Sequence, residues 1–267
     1  DEVLPQLTGE PPDYVIKHWT MADGLPSDRV RDILQTRDGY LWVATFNGLA
    51  RFDGVRFEVF DDTTTPELRN SFINHLFEDS SGRLWIGSDT GEITWRDADG
   101  FHALTITEPW APAPIDQFVE APDGTVLILS RQGLILKVSD GRSQVLNPAP
   151  GMQYSDLIKD REGTIWAVRF GGVLVRIEDG KEVPARNAPR PRGGAYRNVA
   201  PARQGGLWIR DGRRLRRWAD GQWAEDFGQH SWEAEGAVNL FESEDGTVWV
   251  GGGSGVCLSS DGFVLTN

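Results

Sequence analysis

Gly24 to Phe60 reads G-L-P-S-D-R-V-R-D-I-L-Q-T-R-D-G-Y-L-W-V-A-T-F-N-G-L-A-R-F-D-G-V-R-F-E-V-F. Short runs of β-branched and aromatic residues alternate here with Asp-Gly and Asn-Gly pairs, which make tight turns because glycine accepts positive φ. The stretch predicts four short strands: A over Val30–Gln35, B over Tyr40–Thr45, C over Leu49–Phe52 and D over Arg56–Phe60.

The string D-G-Y-L-W at Asp38 to Trp42 returns as S-G-R-L-W (Ser81 to Trp85), E-G-T-I-W (Glu162 to Trp166), G-G-L-W (Gly205 to Trp208) and D-G-T-V-W (Asp245 to Trp249). Asp123 to Leu127 is the same element with tryptophan replaced by leucine. The anchoring glycines are Gly39, Gly82, Gly124, Gly163, Gly205 and Gly246, and a second turn follows each at Gly54, Gly100, Gly141, Gly180, Gly221 and Gly262. A period of roughly 40 residues with four strands per unit and no helical stretch predicts an all-β propeller of antiparallel four-stranded blades. Six repeats are visible, near residues 30–60, 73–104, 115–146, 154–184, 196–227 and 238–267, in a propeller domain spanning 14–267 after an N-terminal extension, 1–13. The tryptophans Trp42, Trp85, Trp166, Trp208 and Trp249 are expected to fill the space between adjacent twisted sheets.

The Gly24–Phe60 stretch resembles the two-component regulator propeller repeat, whose form is G-L-P, a strand ending in D-x-x-G, then L-W-I-G-T and G-L-x-R-F-D-G. That resemblance implies a periplasmic sensor domain of a hybrid histidine kinase or diguanylate cyclase, with carbohydrate fragments as ligands and the remainder of the sensor protein as partner. It also implies seven blades, one more than the repeats visible here. A further run, Tyr14 to Trp19, looks like a D strand. It either completes a six-bladed ring beside the last repeat or belongs to a seventh blade whose other strands lie beyond Asn267.

Composition narrows the function. The chain has 267 residues, a formal net charge of −13 and one cysteine, Cys257, so a disulfide framework is excluded and the cysteine reads as a small buried apolar residue. Nucleic acid is disfavoured as a partner by the negative charge. No apolar run is long enough to span a membrane, and the acidic start lacks the pattern of an uncleaved signal peptide. Residues 1–133 carry the whole imbalance, 10 Lys/Arg against 23 Asp/Glu, while Arg186 to Arg217 hold ten arginines and one acid. That basic run reads either as a loop ordering over an anionic ligand or as a solvated segment.

Strand order places the D–A and B–C loops on one face and the short, regular A–B and C–D turns on the other. Binding residues concentrate on variable loops carried by a rigid scaffold. The expected ligand-binding set is therefore Phe46, Asp89, Trp110, Arg131, Tyr154, Arg169, Phe170, Tyr196, Arg210 and Trp232, with His230 nearby. Aromatic rings mixed with arginine suit a small-molecule or oligosaccharide ligand bearing carboxylates or sulfates. In particular, Arg131, Arg169 and Arg210 are expected to converge on one such group. Four dispersed histidines offer no metal spacing, and neither a nucleophile motif nor a phosphate loop is present. No cofactor, metal or catalytic residue is expected. The alternatives are a propeller enzyme (a polysaccharide or lactone lyase using His75 or Asp28 with an arginine) and a protein-interaction scaffold; a homodimer is also compatible.

Overall fold

The computed structural model describes residues 17–106, 110–139, 141–146, 153–185, 188–189, 198–211, 214–229, 239–251, 256–258 and 264–266. They form six antiparallel four-stranded sheets, each built from four consecutive strands in sequence order. Blade one contains β1 (Val30–Gln35), β2 (Leu41–Thr45), β3 (Gly48–Phe52) and β4 (Phe57–Phe60). Blade two contains β5 (Ile73–Glu78), β6 (Leu84–Ser88), β7 (Ile93–Asp97) and β8 (Gly100–Ala103). Blade three contains β9 (Ile115–Glu120), β10 (Val126–Ser130), β11 (Ile135–Ser139) and β12 (Arg142–Leu146). Blade four contains β13 (Tyr154–Lys159), β14 (Ile165–Arg169), β15 (Val173–Glu178) and β16 (Lys181–Pro184). Blade five contains β17 (Asn198–Pro201), β18 (Leu207–Asp211), β19 (Arg214–Ala219) and β20 (Gln222–Gln229). Blade six contains β21 (Asn239–Glu242), β22 (Val248–Gly251), β23 (Val256–Leu258) and β24 (Val264–Thr266). Two 3₁₀ turns, Met21–Asp23 and Pro66–Leu68, are the only helical elements among the described residues.

Neighbouring blades meet mainly through their first strands, β1 on β5, β5 on β9, β9 on β13, β13 on β17 and β17 on β21. One apolar cluster fills each of these spaces. Trp42 lies with Leu76 and Ile86 between blades one and two, and Trp85 with Ile115 and Phe118 between two and three. Trp166 lies with Val199 and Ile209, and Trp208 with Val248 and Val250. Leu127 takes the tryptophan's place between blades three and four. A side chain on Gly87 would put its Cβ 2.5 Å from that of Ile115, so this glycine sets how closely blade three approaches blade two.

In blades one, two, four and six the polar residue three positions before the turn glycine has a second duty, because it accepts the indole N–H of its own blade's tryptophan. Trp42 Nε1 donates to Thr36 Oγ1 at 3.2 Å, Trp85 to Asp79 Oδ2 at 2.8 Å, Trp166 to Asp160 Oδ2 at 2.7 Å and Trp249 to Ser243 Oγ at 3.0 Å. In blade five, where this position is Ala202, Trp208 Nε1 donates instead to Glu242 of blade six at 2.7 Å. The turn face is then latched blade to blade: Ser80 N and Oγ donate to Glu120 at 2.9 and 2.6 Å, and Arg203 N to Glu242 at 2.7 Å.

Two expectations need correction. Trp249 is 46% exposed, where Trp42, Trp85, Trp166 and Trp208 are 1%, 2%, 7% and 3% exposed. Each of those four packs on the next blade, and among the described residues no sheet covers the corresponding face of blade six. On the opposite side, Ile33 of blade one is 56% exposed, while its counterparts Leu76 and Leu157 are each 4% exposed. Second, the run Tyr14 to Trp19 has no strand in its described part: Lys17–Trp19 is irregular. Trp19 packs edge-on against Phe52 at 5.3 Å and Phe57 at 6.5 Å, covering rings of blade one itself. Tyr14 to Ile16 lie outside the described residues.

Candidate functional site

Strand direction puts the B–C and D–A connections on one face, as the turn pattern requires. At the B–C end of blade four, Arg169 Nε donates to Glu182 Oε2 at 2.8 Å, and the Tyr154 hydroxyl donates to the same oxygen at 2.8 Å. Tyr154 is buried, and burial first, then the Glu182 carboxylate, push its phenol well above the ordinary value. Phe170, next to Arg169, is 58% exposed. In blade three, Arg131 donates from Nε and an NH2 group to Asp116 Oδ1 at 3.1 and 2.9 Å. Arg210 lies within β18 and is fully buried.

The three arginines are thus not alike. Arg131 and Arg169 are each neutralised by an acid of their own blade, and Arg210 is out of a dissolved ligand's reach in this state. Trp110 is half-buried, donates its indole N–H to Gly91 O at 3.3 Å and packs against the core between blades two and three. Asp89 is half-buried, its backbone N–H bonded to Phe72 O at 2.9 Å. Phe46 and Phe72 pack with their rings tilted by 33° and centroids 4.0 Å apart. The structure therefore gathers Tyr154, Arg169 and Phe170 in one place and sets Phe46 and Asp89 at the boundary of blades one and two. Tyr196, His230, Trp232 and most of the basic run Arg186 to Arg197 lie outside the described residues.

The first strands carry a constellation that loop reasoning misses. Their third positions are Asp32, His75, Gln117 and Asp156 in blades one to four. Asp32 Oδ2 accepts the Leu76 N–H at 2.8 Å and lies 2.6 Å from His75 Nδ1. Gln117 Oε1 accepts the Leu157 N–H at 2.7 Å, and its Nε2 donates to Asp156 Oδ1 at 2.6 Å. Polar side chains thereby stitch adjacent blades along the innermost strands. Just before each of them the pairing of first and second strands slips at a bulge, which re-aims Arg31, Asn74, Asp116 and Ser155. Aligning the repeats on their glycine anchors would have exposed the polar column.

Asp156 supplies a pH test. Burial pushes its carboxyl up to about 6 from 3.8, against opposing hydrogen bonds from Gln117 and the Leu157 N–H. As pH rises the unfolded chain therefore loses this proton before the folded one does, so stability falls between about pH 4 and pH 6 and levels off above. Asp156→Asn, which keeps the acceptor for Gln117, is expected to stabilise the fold by about 1–2 kcal/mol at neutral pH, less than the full two-unit shift because the residue is only half-buried. Urea midpoints should converge near pH 4; a pH-independent difference would remove titration as the cause.

Fold and face together define a β-propeller with a latched turn side and a variable loop side. Comparison with known proteins places its repeats. The two component regulator propeller family model matches residues 24–47 and 67–90, so the chain carries two component regulator propeller repeats. Histidine kinase P4 of Formosa agariphila is 41% identical over 54 residues, a match spanning 20% of this chain and 4% of that protein. Among solved structures, virginiamycin B lyase from Staphylococcus aureus superposes with a TM-score of 0.69 at 15% identity, covering 90% of this chain and 84% of the lyase. The extracellular domain of a hybrid two component system from B. thetaiotaomicron gives 0.69 at 15% identity, covering 95% of this chain and 36% of that one. At such identities the likeness shows the fold.

Proposed function

We propose that this chain is the non-catalytic, periplasmic ligand-sensing domain of a two-component or cyclic-di-GMP signalling protein, and that its ligand is a carbohydrate fragment bound on the loop face. The observation that carries the reading is the asymmetry of the two faces. Carboxylates lock the turn side blade to blade, whereas the loop side leaves Phe170 58% exposed beside the Tyr154–Glu182–Arg169 cluster. A rigid body with one variable, aromatic and charged face suits recognition. The family repeats and the extracellular domain of similar fold support a sensor, with the remainder of the signalling protein as partner.

Titration calorimetry with uronate-containing and neutral oligosaccharides tests this reading. Binding by either class, weakened about tenfold or more by Phe170→Ala, is the expected result, since an exposed stacking ring contributes on the order of 1 kcal/mol or more. Binding that survives Phe170→Ala unchanged would move the site off this face. A lyase-type reading draws on His75, held at 2.6 Å from Asp32. Asp32 is already committed to the Leu76 N–H across the blade boundary, which favours a seam over a catalytic dyad.

A further inference from the structure

We propose that Arg29 and Arg31, carried over the ring of Phe46 and backed by Phe72, form an oxyanion subsite at the boundary of blades one and two. This deepens the loop-face reading above and rests on it. Both guanidinium groups sit over one ring, Cζ lying 5.5 Å from the Phe46 centroid for Arg29 and 5.6 Å for Arg31. The ring itself is fixed. Phe72 packs on it at 4.0 Å from the next blade, and Phe46 N donates to Arg29 O at 3.3 Å.

Charge bears on the pair. Arg51, Arg83, Arg131, Arg169, Arg214 and Arg217 all form ion pairs with acids close by. Arg31 spends its Nε and one NH2 group on Asn74 Oδ1, at 3.1 and 2.7 Å, a neutral acceptor that positions the guanidinium without cancelling its charge. For Arg29 there is no hydrogen bond or ion pair to its guanidinium among the described residues, and it is exposed. Two cations with no ion pair among the described residues therefore share one phenyl ring in the half of the chain that carries the whole excess of acid. Mutual repulsion works against that arrangement, and an anion between or beside the two relieves it. The bulge between Val30 and Asp32 is the local device that turns Arg31 toward this edge. Guanidinium N–H groups match the paired oxygens of carboxylate, sulfate or phosphate, and an aromatic platform suits the ring that bears them.

Nitrogen-15 NMR of the arginine side chains of the whole chain tests this without knowing the ligand. Sulfate is titrated at constant ionic strength against chloride, with parallel acetate and phosphate arms to rank the oxyanions. The expected result is a saturable shift of the Arg29 and Arg31 Nε–H signals with at least one oxyanion, and no saturable shift of Arg56, whose side chain is 86% exposed. Arg29→Ala should weaken the Arg31 response about tenfold, the loss of one charge-assisted contact. Phe46→Leu, which keeps bulk but removes the π face, should weaken both. Shifts that stay linear, or that Arg56 matches, would overturn the subsite. If the arginine shifts stay linear while an oligosaccharide still binds in a Phe170-dependent way, this inference alone falls and the sensor reading stands.

Discussion

Truncating Trp166 to alanine is expected to cost roughly 3–5 kcal/mol, while the same change at Trp249 should cost less than about half as much. Both residues are the W of the same repeated element, so sequence gives no reason to separate them. Burial does. Trp166 is 7% exposed among Ile158, Val168, Leu174, Val199 and Ile209, and it meets Trp218 edge-on at 5.4 Å. Removing it opens a cavity between blades four and five and leaves Asp160 Oδ2 without its indole donor. Packing deletion and an orphaned acceptor add in the same direction. Trp249 is 46% exposed, and its N–H goes to a serine hydroxyl that is itself held by Asp245. Urea unfolding midpoints of the two variants, compared at unchanged slope, decide between these values. Equal losses would mean that the outer face of blade six is covered in solution.

The contrast shows which parts of this fold can be read from the sequence. Turn positions are local, set by Asp-Gly and Asn-Gly chemistry, and the strands of the first repeat fall within one residue of their expected bounds. Burial of a blade's tryptophan is not local, because the neighbouring blade supplies it. Arginine pairing fails for a related reason. Arg131 finds Asp116 and Arg169 finds Glu182 on other strands of their own blades, partners that only strand register brings together. An arginine at a strand end therefore reads as available until the sheet is assembled.

The polar column of the first strands escaped notice for another reason. Within one repeat, the alternation of Arg31, Asp32 and Ile33 looks like an ordinary half-exposed strand. Only the comparison of Asp32 with His75, Gln117 and Asp156 reveals a position held polar in blade after blade, and only the structure shows its hydrogen bonds crossing to the next blade. Phe46 was legible as a loop aromatic. Its two arginines were not, since Arg29 and Arg31 meet its ring through the fold of blade one and the bulge at Arg31.

Asp79→Ala is expected to cost about 3–4 kcal/mol, close to a buried-charge deletion although no core volume is lost. The Asp79 side chain is fully buried. It accepts hydrogen bonds from Ser81 N at 3.0 Å, Arg83 N at 2.9 Å, Arg83 Nε at 2.6 Å and Trp85 Nε1 at 2.8 Å. Burial alone would raise its pKa, yet these donors and the Arg83 charge hold it below the ordinary value. The contribution is therefore present above the unfolded pKa of about 4 and is lost as pH falls through the lower folded value. Alanine strands all four donors, one of them the indole that anchors the core between blades two and three. Asp79→Ser should recover roughly half of the loss, because a hydroxyl at this position already accepts the indole in blade six at 3.0 Å. Denaturant midpoints at neutral pH and near pH 3 separate the two parts of the effect. The Asp79→Ala deficit should shrink in acid as the native carboxylate is protonated, while the serine variant's stability follows the wild type more weakly with pH. A neutral-pH loss below about 1 kcal/mol would make Asp79 a turn former and nothing more.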